Sequence, residues 1–368
     1  MNQPELFYQS ALTAVPGVGD VLIRQLMSYC GSASEVFRSP LAKLRKTPGV
    51  GEVIARAVLH PEVLREAEQI QQRCEKLGIE QLFYTDKRYP ARLKALYDSP
   101  AMLYFQGTAD LNTARTIGIV GTRQATDYGR RITEEIIQAV QPYQPLIISG
   151  LAYGIDIAAH RASLQTHLPT IGVMASGVDI VYPYVHKKTA QEMLVLGGLL
   201  TENRPGIKPD ARLFPARNRI IAGLSDAIVV VEAATKGGAL ITAEYANNYH
   251  REVFAVPGHL NQTFSQGCNK LIRENKAQIY TKPEDLIEAL NWDQPAAKTA
   301  SIDKSPLALE FTEEESQIMS LFRQQPEWHI DELSWQTQIH LGKLASLLLN
   351  LEFKGILRTL PGKKYQLY

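Results

Sequence analysis

Residues 115–123 read Arg115-Thr116-Ile117-Gly118-Ile119-Val120-Gly121-Thr122-Arg123. A short, continuous apolar run ends in a glycine, a small hydroxyl residue and a cation. It is too short for a helix and does not alternate, which is the pattern of a strand buried on both faces. Similar runs recur at Leu146–Ser149, Thr170–Ala175, Leu199–Glu202, Ala227–Glu232 and Glu252–Pro257. Helical patterns separate most of them, at Tyr128–Val140, Ile155–Leu164, His186–Leu196, Arg217–Leu224 and Ala239–His250. Buried strands alternating with helices predict an α/β fold: a doubly wound, mostly parallel sheet covered on both sides.

Working outward, residues 81–114 hold two apolar runs, Gln81–Thr85 and Ala101–Gly107, expected as edge strands or a lead-in to the sheet. Residues 1–80 are expected to form a separate helical domain, because apolar residues recur there at helical spacing. A short element appears twice in it, as Pro16-Gly17-Val18-Gly19 and Pro48-Gly49-Val50-Gly51, each time before a helical pattern. That is the form of a helix–hairpin–helix. Each turn reads either as a phosphate-binding helix N-terminus or as a tight turn inside a small bundle. Residues 291–306 are poor in large apolar residues and read as a linker. Residues 307–368 read as a winged helix: Thr312 to Glu315 as a capping box, helices near Ile330–Thr337 and Leu341–Lys354, then two wing strands. This segment carries 6 basic and 8 acidic residues. Its third helix is rich in leucine and lacks base-reading Arg or Gln, which favours an accessory or protein-contact module over a DNA reader.

Composition narrows the function classes. The chain has 368 residues, with 39 Lys+Arg against 38 Asp+Glu, so it is no polybasic nucleic-acid coat, and any anion site must be local. Three cysteines are too few and too scattered for a disulfide framework or a Cys-rich zinc site. No apolar run approaches the ~20 residues that cross a bilayer, and the first residues lack a signal-peptide pattern. A cytoplasmic protein without a membrane partner is expected. The eight histidines form no metal-binding spacing, no metal or cofactor is expected, and there is neither a G-x-G-x-x-G fingerprint nor a P-loop. His160 reads as a structural hydrogen-bonder and Cys268 as a buried apolar residue.

Ligands of open α/β sheets bind beyond the carboxyl ends of the strands. Small residues gather there: Gly121-Thr122, Ser149-Gly150, Ser176-Gly177 and Gly237-Gly238. Together they suggest a cradle of backbone N–H groups for an anion. Arg123, Lys236 and the run Arg212, Arg217, Arg219 supply cations, and Phe214 offers a ring on which a base can stack. Each of these arginines could equally pair with Glu202, Asp210 or Asp226. Three to four phosphate contacts would give a log–log salt slope of roughly −2 to −3 on single strands.

The run from Gly118 to Arg123, with Ser149–Asp156, Ala158-Ala159-His160, Phe214–Ser225, Gly238–Ala243 and Val256-Pro257-Gly258, resembles the DprA/Smf family of DNA-processing proteins. The resemblance implies an extended Rossmann-like domain over 81–290 that binds single-stranded DNA without sequence preference. It implies a homodimer through that domain, and loading of RecA recombinase onto incoming DNA during natural transformation. It places DNA contacts at Arg123, at Arg217, Asn218 and Arg219 of a Phe-Pro-x-Arg-Asn-Arg motif, at Lys236, and along the glycine rim to Thr242. No catalytic residue is expected. Two positions depart from the family: His186, where Asn is frequent, and Asn275, where Gly is usual. Asn is among the residues that best tolerate left-handed backbone.

Two other readings compete. The Gly237–Glu244 loop is similar to that of nucleoside-monophosphate phosphoribohydrolases (the LOG family), with Glu232 and Glu244 as acid–base candidates. In the other, the sheet domain merely dimerises and the helix–hairpin–helix segment binds DNA.

Overall fold

A computed structural model of the chain describes residues 4–292, 312–322, 325, 327–353, 356–360 and 364–367. Two compact units emerge, Met1–Ala296 and Ala297–Tyr368.

The first unit is built on nine strands: β1 (Glu80–Phe83), β2 (Met102–Gly107), β3 (Thr116–Val120), β4 (Leu146–Ser149), β5 (Thr170–Val173), β6 (Gly198–Thr201), β7 (Ala227–Val230), β8 (Glu252–Ala255) and β9 (Gln278–Ile279). Their order is β1-β2-β6-β5-β4-β3-β7-β8-β9. From β6 through β9 all neighbours are parallel, whereas β1 and β2 pair antiparallel at one edge. The chain enters at β3, winds out to β6, then crosses to β7 on the other side of β3. The crevice at that reversal is where such sheets hold ligands.

Both faces of the sheet are covered, which explains the unbroken apolar runs. In β3, Ile117 and Ile119 pack on one face with the helix Asp127–Val140, while Val120 packs on the other with the helix Leu213–Leu224. In β7, Ala227 and Val229 alternate with Ile228 and Val230 in the same way.

The boundary expected at residue 80 does not divide this fold. Leu12, Leu26, Val36 and Ala67 of the N-terminal helices share a buried cluster with Phe83, Met102, Tyr104 and Leu199 of the sheet edge. Helical periodicity showed that those helices have an apolar face. It could not show that the sheet covers it. The two Pro-Gly-Val-Gly turns adopt matching backbones, with φ +78° at both Gly17 and Gly49. Gly19 and Gly51 then cap the helices Asp20–Cys30 and Glu52–Val58.

Among the described residues the second unit has three helices, Glu313–Phe322, Ile330–Thr337 and Leu341–Phe353, and a three-stranded sheet ordered β10 (Glu327–His329), β12 (Lys364–Leu367), β11 (Leu357–Leu360). Thr312 and Glu315 form the reciprocal capping box, at 3.0 and 3.2 Å. The third helix turns Leu344, Leu348 and Leu351 into the core, so its leucines serve packing. Of the linker expected at 291–306, residues 293–306 lie outside the described residues, as does the wing tip at 361–363. Among the described residues no helix is long and apolar enough to cross a membrane.

Candidate nucleic-acid interface

The turn after β3 is clamped from both sides. The Thr122 amide donates to the Glu232 carbonyl beyond β7 at 2.7 Å, and the Ile155 amide donates to the Thr122 carbonyl at 3.2 Å. A Cβ on Gly154 (φ +79°) would sit 2.1 Å from that same carbonyl, so the close approach requires glycine. The Glu232 carboxylate, itself buried, accepts from the Thr126 amide at 2.9 Å and from its hydroxyl at 2.5 Å. Thr126 in turn caps the helix Asp127–Val140. The result is a rigid turn that projects Arg123 into solvent.

That turn forms one wall of a groove of about 1100 Å³. The start of the helix Leu213–Leu224 forms another, and the Lys236-Gly237-Gly238 loop a third. Arg123 is exposed, and its guanidinium lies 5.2 Å from the centre of the half-buried Phe214 ring. Lys236 is exposed across the groove. Among the described residues neither cation is in an ion pair, though the charge of Arg123 is felt by the buried Asp156 carboxylate. The helix Gly238–Asn248 begins on this wall with no acid in its first turn. Its leading amides have no intrahelical acceptor, and its dipole favours an anion there. A cation, a ring and a helix N-terminus can together receive a phosphate and its base.

Other expected contacts are placed differently. Arg217 lies at the groove floor but is buried. Its Nη1 donates to the Val173 carbonyl and its Nε to Asn218 Oδ1 at 3.2 Å. Burial lowers its proton affinity, opposed by the nearby Asp156 carboxylate, and an arginine stays charged all the same. Asp156 is itself buried, which pushes its carboxyl up, opposed chiefly by Arg217. Arg217 therefore contributes field to the groove but offers no open fork. Asn218 is also internal, donating to the Gly238 carbonyl at 3.1 Å. Thr242 is buried and donates to that carbonyl too, at 3.1 Å.

Arg219 is a correction. It points away from the groove and binds Glu202 and the Asp98 carbonyl (2.7 Å), with Asp20 at 3.8 Å. Arg212 pairs with Asp210 at 3.1 Å. For these two the ion-pair alternative holds: Arg212 pairs locally just before the helix, and a helix turn of about 100° per residue sends Arg217 and Arg219 to opposite sides.

The four-turn amide cradle is corrected as well. Ser149 and Gly150 sit behind the floor, with Ser149 Oγ donating to the Ile119 carbonyl at 2.5 Å. Ser176 Oγ donates to the Ile180 carbonyl at 2.7 Å and the Gly177 amide to the Ile207 carbonyl at 2.9 Å, so both are spent on their own loop. Gly121, Thr122, Gly237 and Gly238 do line the groove.

His160 is buried, with one ring nitrogen 2.7 Å from Thr170 Oγ1 and the other 2.5 Å from the Gly150 carbonyl. Burial pushes its pKa down to about 4. Cys268 is buried and its thiol is pushed up to about 12. His186 is buried and contacts the Leu151 carbonyl at 3.0 Å. Asn275 adopts φ +55°, the left-handed backbone expected of a glycine substitute. Of the two acid–base candidates, Glu232 is committed to Thr126, while Glu244 is exposed on the groove wall. Among the described residues no group of His, Cys, Asp and Glu is arranged to hold a metal ion. Asp156 and Tyr182 also line the groove. Sequence reading gave neither a role, although Asp156 closes the run Ser149–Asp156 that carries the family resemblance.

Comparison with known proteins covers most of the chain. The family described as DNA recombination-mediator protein A matches residues 80–291, and the DprA winged helix domain matches 295–363. Protein Smf of Synechocystis is 31% identical over the full length of both chains. DNA processing protein DprA of Bacillus subtilis is 42% identical over 58% of this chain and 72% of its own. The crystal structure of Streptococcus pneumoniae DprA superposes with a TM-score of 0.67 at 30% identity, covering 78% of this chain and 98% of that one. A Helicobacter pylori DprA structure, which bears on its single-stranded-DNA-binding mode, superposes at 0.53 with 29% identity, covering 59% and 97%.

Proposed function

The chain belongs to the DNA recombination-mediator protein A family, and from that premise we propose that its groove binds single-stranded DNA without sequence preference. We further propose that the protein acts as a homodimer through its sheet domain. In this reading it is not an enzyme, and it loads RecA recombinase onto incoming DNA during natural transformation.

One observation carries the reading: an exposed, unpaired Arg123 guanidinium held against the Phe214 ring beside a helix N-terminus. Phosphate would dock between Arg123 and Lys236, with a base against Phe214. Backbone neutralisation and stacking carry no base code, hence the indifference to sequence. Two open cations per groove give a log–log salt slope of about −1.4, from −0.7 per contact. One strand crossing both grooves of a dimer would approach about −3, and the coupled grooves would bind with higher avidity than either alone.

Anisotropy titration of labelled oligo-dT across salt tests this. Arg123→Ala should weaken binding roughly tenfold or more and reduce the slope by about 0.7 per groove. Equal affinity for duplex, or indifference to Arg123, would overturn it. Turnover of AMP or CMP to free base would instead favour the phosphoribohydrolase reading, with Glu244 as its remaining acid.

A further inference from the structure

A second, smaller recess of about 40 Å³ opens beside the groove, where β4 and β5 end. Arg123, Phe214 and Tyr182 line both spaces, and Tyr153 lines only the recess. Tyr153 and Tyr182 are 50% and 51% exposed, a large aromatic area left in water next to a cation.

The geometry is specific. The Tyr182 and Phe214 ring centres are 6.1 Å apart, with planes inclined at 60°. Tyr153 stands edge-on to the buried His186 ring, 5.1 Å away at 70°. Because His186 is fixed to the Leu151 carbonyl, the ring beside Tyr153 is anchored from within. Bases in a duplex stay parallel, about 3.4 Å apart per strand. Two rings inclined at 60° cannot stack on consecutive bases that keep that arrangement. They can stack on consecutive bases that have splayed apart, which only an unpaired strand permits at low cost.

We propose that Tyr153 and Tyr182 form a second nucleobase subsite, reached by the nucleotide next to the one stacked on Phe214, and that this subsite discriminates single-stranded from double-stranded polynucleotide. The inference rests on the groove being a single-strand site and deepens it. The occupant is a base of the same strand because the recess shares Arg123, Tyr182 and Phe214 with the groove, and Arg123, lining both, can hold the intervening phosphate. His186, the departure from the family pattern, then acts as the internal buttress of Tyr153.

The test uses the full chain with Tyr153→Ala, Tyr182→Ala, the double variant and Tyr182→Phe. The probes are oligo-dT, an abasic oligonucleotide of equal length, and matching duplex. Stacking is lost base by base, so the double variant should bind oligo-dT at least roughly fivefold more weakly. It should bind the abasic strand as the parent does, keep the parent's salt slope and lose preference over duplex. Tyr182→Phe should restore binding. Parental affinity for oligo-dT in the double variant, while Arg123→Ala still binds weakly, overturns the subsite and leaves the groove standing. Equal losses on dT and abasic strands, or a changed oligomeric state without DNA, also overturn it, because the tyrosines would then serve the fold or a protein interface. Failure of the parent to bind any of the three probes overturns the groove reading itself.

Discussion

Two regions of this molecule share one sequence device. At the groove, glycines open the helix Gly238–Asn248; in the N-terminal layer, glycines of the Pro-Gly-Val-Gly turns open Asp20–Cys30 and Glu52–Val58. The charge next to each turn separates them. The groove helix has no acid in its first turn and an unpaired Lys236 beside it. The other two begin on Asp20 and Glu52, carboxylates that sit on the positive ends of their own helices. Asp20 also accepts from the Ala101 amide at 2.7 Å, and Glu52 pairs with Arg45 at 3.6 Å and Arg56 at 2.6 Å. A glycine turn makes a helix N-terminus accessible, and neighbouring charge decides whether an outside anion is welcome.

Arg219 gives the sharpest way to break that comparison. It lies on the helix Leu213–Leu224, whose start walls the groove, but bonds to Glu202 and to the Asp98 carbonyl, and approaches Asp20 of the N-terminal layer. At pH 8, where Glu202 is ionised, Arg219→Ala strands partly buried carboxylates, so a loss on the order of 3 kcal/mol in unfolding free energy is expected there. Affinity of the folded protein for oligo-dT should stay within about twofold, since no phosphate contact of about −0.7 in slope is removed. A urea melt and an anisotropy titration on one preparation separate the two. Lost affinity with an unshifted melt would return Arg219 to the groove.

The same junction predicts a pH dependence. Burial, with Asp20 and Asp98 nearby, pushes Glu202 up to about 7 in spite of Arg219. The folded state then holds a proton that the unfolded state releases near its ordinary carboxyl pKa. Between these two values the folded form binds more protons, so stability falls as pH rises from about 5 to about 7. The fall should be on the order of 2 kcal/mol. Glu202→Gln should flatten this dependence in urea midpoints measured across that range. A parallel decline in parent and variant would assign the effect to other groups.

The sequence made the central sheet legible because strands buried on both faces must be largely apolar, and β3 to β8 are, with polar residues only at strand ends such as Thr116, Ser149 and the exposed Glu252. It hid β9, two exposed residues of which only Ile279 is apolar, too short a run to read as a strand. Arg123 was legible because the position after the first parallel strand is where this topology presents side chains. Arg219 was misread because Arg217-Asn218-Arg219 is contiguous in sequence, whereas residues two apart on a helix face about 200° apart. Only part of the rim of small residues lines the groove, for a related reason. Glycine permits an amide to face a ligand, but whether that amide is already bonded, as Thr122 and Gly177 are, depends on strands and loops far along the chain.

The smallest expected effect tests the other side of the comparison. Deleting residues 1–80 would not, because those helices share a core with Phe83, Tyr104 and Leu199, and their loss would expose the sheet edge. Point charges are cleaner. Gly19 and Gly51 have extended backbones (φ −93° and −79°) at N-cap positions, and a Cβ on either meets no atom within 4 Å. Asp is a favoured N-cap, so Gly19→Asp with Gly51→Asp should preserve or slightly raise the melting temperature. It adds two negative charges where a phosphate would have to sit. If these turns stay out of the complex, oligo-dT affinity changes by less than about twofold, because charges farther apart than the ~10 Å screening length at 0.1 M salt interact little. A tenfold loss at unchanged stability would mean that the N-terminal turns hold DNA after all, and that the carboxylates at Asp20 and Glu52 do not keep it away.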